Sequence, residues 1–206
     1  MDDDRIDIPQ WRIRREENPE REWSILRHIG IPRRYAVADL QKDFPLFGFD
    51  QETSYYLHGE AGSGKTHMLC AMVRERTLAR FDRRECLFVT VDDALSEIRS
   101  TFNRPKRNRD EEEEDEATYD CYTTRLKEVS ILALDDIGAE RVTDWTLGEL
   151  YSILNTRYNE LRVTYLSSNL CIEDLSTKFS QRIASRLYQM CQVVHLGDKD
   201  RRLSVL

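Results

Sequence analysis

Gly59-Glu60-Ala61-Gly62-Ser63-Gly64-Lys65-Thr66 is the stretch on which the fold of this chain turns. It fits the pattern G-x-x-x-x-G-K-[ST]. It stands between a short β-prone run, Ser54–His58, and a stretch of helical character from Lys65 to about Phe81, which is the setting the pattern requires. Each residue type has a physical reason. Gly62 and Gly64 let the backbone curl until several amide N–H groups converge on phosphate oxygens. A helix beginning at Lys65 adds the positive end of its dipole. Lys65 brings a full charge to β- and γ-phosphates, and the Thr66 hydroxyl is a ligand for magnesium. Residues Gly59, Glu60, Ala61, Gly62, Ser63, Gly64, Lys65 and Thr66 are therefore expected to cradle ATP with Mg2+.

Working outward, the chain alternates strands with helices. Cys86–Val91 reads as a strand, Asp92–Phe102 as a helix, and a further helix lies near Tyr119–Glu128. Ile131–Leu134 is wholly apolar, as a strand buried on both faces should be. Trp145–Glu160 places Leu147, Leu150, Tyr151, Leu154 and Tyr158 on one side at helical spacing. Val163–Ser168 is a strand, Lys178–Met190 a helix and Cys191–Leu196 a last strand. This alternation predicts an α/β fold, a parallel sheet with helices on both sides.

Three more groups carry chemistry in that frame. The apolar strand at 131–134 ends in Asp135-Asp136, at the sheet edge where the phosphate loop also lies. Asp135 there suits the magnesium shell and Asp136 can orient or deprotonate an attacking water. The same pair also suits a plain strand-ending turn. Ser167-Ser168-Asn169 ends the next strand; Asn169 either holds the nucleophilic water or senses the γ-phosphate, or else caps a following helix. Arg182 and Arg186, four apart, share one helix face opposite Ile183 and Leu187. They are either solvated or, in an oligomer, able to reach a neighbour's nucleotide as arginine fingers.

Composition bounds the rest. At 206 residues the chain suits one well-buried domain. With 40% hydrophobic and 33% charged residues it reads as soluble. It has no apolar run long enough to span a membrane. Its acidic start, Met1-Asp2-Asp3-Asp4, is not that of a secretory signal, so a cytoplasmic location is expected. The five cysteines are widely spaced, without a C-x-x-C pair, and read as reduced thiols. Residues 1–30 read as an N-terminal appendage with a short helix near Glu20–His28, stopped at Gly30-Ile31-Pro32. Residues 31–53 read as an irregular lead-in, and 31–206 as one ATP-binding domain. Within that domain, 104–117 is expected to be a charged, flexible loop. The run 110–116 carries seven acids, as many as the whole net charge of −7, and follows Arg99, Arg104, Lys106, Arg107 and Arg109. Such a polarised loop is either simply solvated, or its basic half meets DNA phosphates.

The ordered set of phosphate loop, Leu134-Asp135-Asp136-Ile137-Gly138-Ala139-Glu140-Arg141, Ser168-Asn169 and Arg182-Ile183-Ala184-Ser185-Arg186-Leu187 resembles the AAA+ ATPases of the DnaC-like helicase-loader group. The IstB-like transposition helper ATPases are similar. Gly30-Ile31-Pro32-Arg33-Arg34-Tyr35 resembles the family's lead-in near the adenine. The likeness covers roughly residues 30–202. It implies an AAA+ P-loop fold, three layers around a five-stranded parallel sheet of order 5-1-4-3-2, and ATP hydrolysis with Mg2+. It also implies ATP-dependent self-association, single-stranded DNA in a central channel, and a replicative helicase or other DNA-processing protein as partner. By resemblance Lys65 and Thr66 bind phosphate and magnesium, Asp135 and Asp136 are the Walker B acids, Asn169 is the sensor, and Tyr35 lies by the base. Arg186, and after it Arg182, would be the arginine finger, while Arg201 or Arg202 would sense the γ-phosphate. Two departures stand out. Position 136 is Asp where many AAA+ proteins use Glu, which implies slow turnover, and the acidic run falls near the segment expected to meet DNA. The alternatives in play are a transposition helper and a nucleotide-gated adaptor with little turnover.

Overall fold

Five short apolar runs form one sheet, and each strand is parallel to its neighbours. The computed structural model describes residues 19–80, 86–102, 122–139 and 141–197. The strands are β1 (Ser54–His58), β2 (Cys86–Thr90), β3 (Ile131–Asp135), β4 (Val163–Ser168) and β5 (Cys191–His195), in the order β2-β3-β4-β1-β5. That is the expected order 5-1-4-3-2, counted from the other edge. The helices are α1 (Pro19–His28), α2 (Leu40–Asp43), α3 (Lys65–Arg80), α4 (Val91–Phe102), α5 (122–128), α6 (Asp144–Asn159), α7 (Ile172–Lys178) and α8 (Gln181–Met190).

Strand side chains alternate between two cores, as period-two geometry demands. Tyr55, Leu57, Ile131, Ala133 and Tyr165 meet α1, α2 and α3 on one side. Tyr56, Leu132, Leu134 and Leu166 meet α4 to α8 on the other. The central strands β3 and β4 are buried at every position, which explains the unbroken apolar run Ile131–Leu134 in β3.

Residues 19–31 are part of this packing. Leu26, Ile29 and Ile31 lie in the α3-side core, and Arg74 of α3 forms a buried ion pair with Glu22 of α1 while its guanidinium also reaches the Ala38 carbonyl. Gly30 permits the closest approach. Its φ is +94°, the Phe88 N–H of edge strand β2 donates to Ile29 O at 2.7 Å, and a Cβ at Gly30 would stand 2.2 Å from Phe88 O. Gly30→Ala is expected to lower stability by about 2 kcal/mol or more in chemical denaturation, from the left-handed backbone and the steric conflict together.

A buried arginine ties three elements behind the sheet. Arg157 of α6 is 0% exposed, and its guanidinium donates to the carbonyls of Leu126, Val129 and Val163 and to Thr164 Oγ1. Burial pulls its pKa down to about 9, which still leaves it charged at neutral pH. Arg157→Met would strand several buried acceptors at once. A loss of about 2 kcal/mol or more is expected, read as a lower denaturant midpoint.

Near the C-terminal end the structure corrects one expectation. The helix expected over Lys178–Met190 begins at Gln181 as α8, and an additional helix, α7, precedes it, the two separated at Phe179-Ser180. Phe179 turns into the core, and the Ser180 hydroxyl caps α8 by accepting from Ile183 N. Cys171 Sγ caps α7 by accepting from Asp174 N at 3.4 Å. Asn169 therefore lies before the helix and does not cap it. The charged segment 104–117, Cys121, Arg201 and Arg202 lie outside the described residues.

Candidate nucleotide site

Because all five strands run the same way, their carboxyl ends share one edge, the place where ligands bind in open α/β sheets. The phosphate loop leaves β1 there, Asp135 ends β3 with Asp136 next after it, and Asn169 follows β4, the strand between the two. A cleft of about 580 Å³ opens at this edge. Its lining includes Gly62, Lys65, Thr66, Asp136 and Asn169, together with Tyr35 from the lead-in.

The loop folds as its glycines require, with φ of +87° at Gly62 and +97° at Gly64. Lys65 is 5% exposed, and its ammonium donates to the carbonyls of Gly59 (2.9 Å) and Glu60 (2.8 Å). The Thr66 hydroxyl, on the second residue of α3, donates to Asp135 Oδ1 at 3.1 Å. Asp135 is almost fully buried, and Ser167 Oγ donates to the same carboxylate oxygen. Burial pushes the Asp135 carboxyl above its ordinary pKa. The hydrogen bond from Ser167 opposes this, the Asp136 charge adds to it, and the Thr66 hydrogen bond and Lys65 also oppose it.

Asp136 is the exposed member of the pair. Its backbone is left-handed, φ +61°, and its N–H donates to Ser167 Oγ at 3.0 Å. Asp adopts that conformation more readily than most side chains, which gives a physical reason for the shorter acid at this position. Ser167 is thus a site residue that the sequence reading passed over. Its hydroxyl donates to Asp135, accepts from Asp136, and so joins the ends of β3 and β4. Ser168 repeats the tie by donating to Ile137 O at 2.7 Å. Two adjacent serines closing a strand at the same edge as the phosphate loop were the available signal.

Arg182 and Arg186 do not line this cleft. Arg182 is exposed on α8. Arg186 is held at the surface, with Nε donating to Asn155 Oδ1 at 3.0 Å and its guanidinium 4.7 Å from the Tyr158 ring centroid.

The donor set fits a triphosphate with a divalent metal. Thr66 and Asp135 place two hard oxygens side by side, as magnesium prefers. The Ser63 hydroxyl inside the loop is buried with no hydrogen-bond partner, a polar group that a bound ligand could satisfy.

A parallel five-stranded sheet with this loop and these acids at its carboxyl edge defines a P-loop protein of the AAA+ class. More narrowly, the chain belongs to the family of IstB-like ATP binding proteins, whose model matches residues 46–205. It is 26% identical over 191 residues to the replicative helicase loader DnaI of Bacillus subtilis, covering 84% of this chain and 56% of that protein. It is 30% identical over 146 residues to the phage-like element PBSX protein XkdC of Bacillus subtilis, covering 68% of this chain and 48% of the relative. Among solved structures it resembles the crystal structure of the DnaC helicase loader, with a TM-score of 0.64 and 20% identity over 81% of this chain and 100% of that one. The chain spans about half the length of the curated relatives it matches.

Proposed function

We propose that this protein is a Mg2+-dependent ATPase, converting ATP and water to ADP and phosphate, that loads or remodels a replicative helicase on single-stranded DNA. One observation carries the ATPase reading. Thr66 and Asp135, 69 residues apart in the chain, meet at 3.1 Å in the same cleft edge as Lys65, Asp136 and Asn169. Lys65 and the loop amides would hold the β- and γ-phosphates. Thr66 and Asp135 would hold Mg2+, which when bound neutralises phosphate charge. Asp136, exposed beside the buried acid, would orient and deprotonate the attacking water, and Asn169 would position that water or sense the γ-phosphate. Tyr35, which lines the same cleft, would meet the nucleoside.

The helicase-loader reading rests on the relatives, several of which are named as such. The IstB-like family match supports a transposition helper as the second reading. In either, the protein would self-associate with ATP between subunits. Arg186, fixed on the outer face of α8 by Asn155 and Tyr158, would then reach the neighbour's nucleotide, with Arg182 beside it. A cytoplasmic setting fits, since no helix among the described residues is long and apolar enough to cross a membrane.

Phosphate release and solution mass, each measured with and without Mg2+, ATP and single-stranded DNA, test this together. The expected result is Mg2+-dependent release and an ATP-dependent rise in mass. ATP binding with neither release nor assembly would instead make the protein a nucleotide-gated adaptor. Capture of a helicase rather than a transposase separates the two partner readings.

A further inference from the structure

The residue after Thr66 joins the phosphate loop to the lead-in. His67 lies on the first turn of α3, and its Nε2 stands 2.8 Å from Oδ2 of Asp43, the last residue of α2. The same carboxylate oxygen accepts the Asp39 N–H at 2.8 Å, which fixes it from the far side. Two lead-in rings complete the enclosure: Tyr35 meets the imidazole edge-on with centroids 6.1 Å apart, and Phe44 lies 5.9 Å away. Burial alone would raise the Asp43 pKa; hydrogen bonds from His67 and from the Asp39 backbone outweigh it and hold the carboxyl below its ordinary value.

Arg34, Tyr35, Asp43 and His67 line the same cleft as Lys65 and Thr66. With the phosphates assigned to Gly59–Thr66, these residues are left to face the nucleoside. We infer that His67 and Asp43 form a latch that holds the lead-in, residues 34–44, against the nucleoside end of a bound nucleotide. The two are positioning residues, and the inference rests on the phosphate-loop reading above. Its chemical signature is selective. Loss of the latch frees the segment that covers the nucleoside but leaves Lys65, Thr66 and the loop amides in place. Nucleotide affinity should fall, while affinity for a bare triphosphate should not.

Calorimetric titration with Mg-ATP and with Mg-tripolyphosphate tests it on the wild type, His67→Ala, Asp43→Ala and His67→Gln. Either alanine variant should weaken ATP roughly tenfold, the scale of one lost hydrogen bond, with tripolyphosphate within about twofold of wild type. His67→Gln keeps an N–H near the Nε2 position and should restore most of the ATP affinity. The two alanine variants break the latch from opposite sides, so one that fails to fold leaves the other to decide. Unchanged ATP affinity in a folded alanine variant, or equal loss for both ligands, overturns the latch. A wild type that binds neither ligand would sink the phosphate-loop assignment itself, a different outcome from failure of the latch.

Discussion

Replacing Lys65 with alanine is expected to weaken ATP binding at least about a hundredfold while the protein stays folded. The loss follows from removing the one side-chain cation of the loop, which in the proposed site would meet the phosphates. A charge-assisted hydrogen bond contributes about 1.5–3 kcal/mol, and the Coulomb attraction of a nearly buried ammonium adds to it. The fold should survive because Lys65 itself lines the cleft, so water can enter where its ammonium stood and meet the Gly59 and Glu60 carbonyls. Direct titration beside a thermal melt reads both halves. A folded Lys65→Ala protein binding ATP as the wild type does would mean that the nucleotide sits elsewhere.

Asp136→Asn is expected to leave ATP affinity within about twofold and to cut turnover by about 10²–10⁴, the range over which a general base contributes. The substitution is clean for structural reasons. Asn tolerates the left-handed backbone at this position as well as Asp does, and the N–H bond to Ser167 belongs to the main chain and persists. Only the carboxylate is lost. Single-turnover phosphate release, measured at saturating ATP, separates this effect from binding. Wild-type release by Asp136→Asn would move the water-handling role to another group at the edge, with Asn169 the first to test.

The strands were legible because each is a short run rich in β-branched, aromatic or aliphatic residues, with β3 and β4 buried on both faces, and β4 was read to the residue. The phosphate loop was legible for a different reason: its glycines and lysine are a local solution to a local problem, so eight consecutive residues carry the whole signal. What failed to show is what only tertiary structure brings together. Helix α7 is seven residues long and capped by a cysteine, an uncommon cap, so nothing before Lys178 announced it. The break at Phe179-Ser180 needs the core that Phe179 enters. Gly30 could be read as a helix stop, but its contact with Phe88 depends on where β2 lies. Arg157 falls within the expected helix Trp145–Glu160 with no local pattern to mark it, and its role as buried donor to the carbonyls of Leu126 in α5 and Val163 in β4 depends on where those elements pack. Ser167, like the Asp43–His67 pair, consists of ordinary residue types whose role comes from partners 24 or more positions away.

The most direct measurement is a crystal structure grown with magnesium and a non-hydrolysable ATP analogue. The account predicts the β- and γ-phosphates against Lys65 and the loop amides, with the metal at about 2.1 Å from Thr66 Oγ1 and Asp135 beside that hydroxyl in the metal's shell. Nucleotide bound away from residues 59–66, or Asp135 turned out of the cleft with the metal held by other groups, would contradict it.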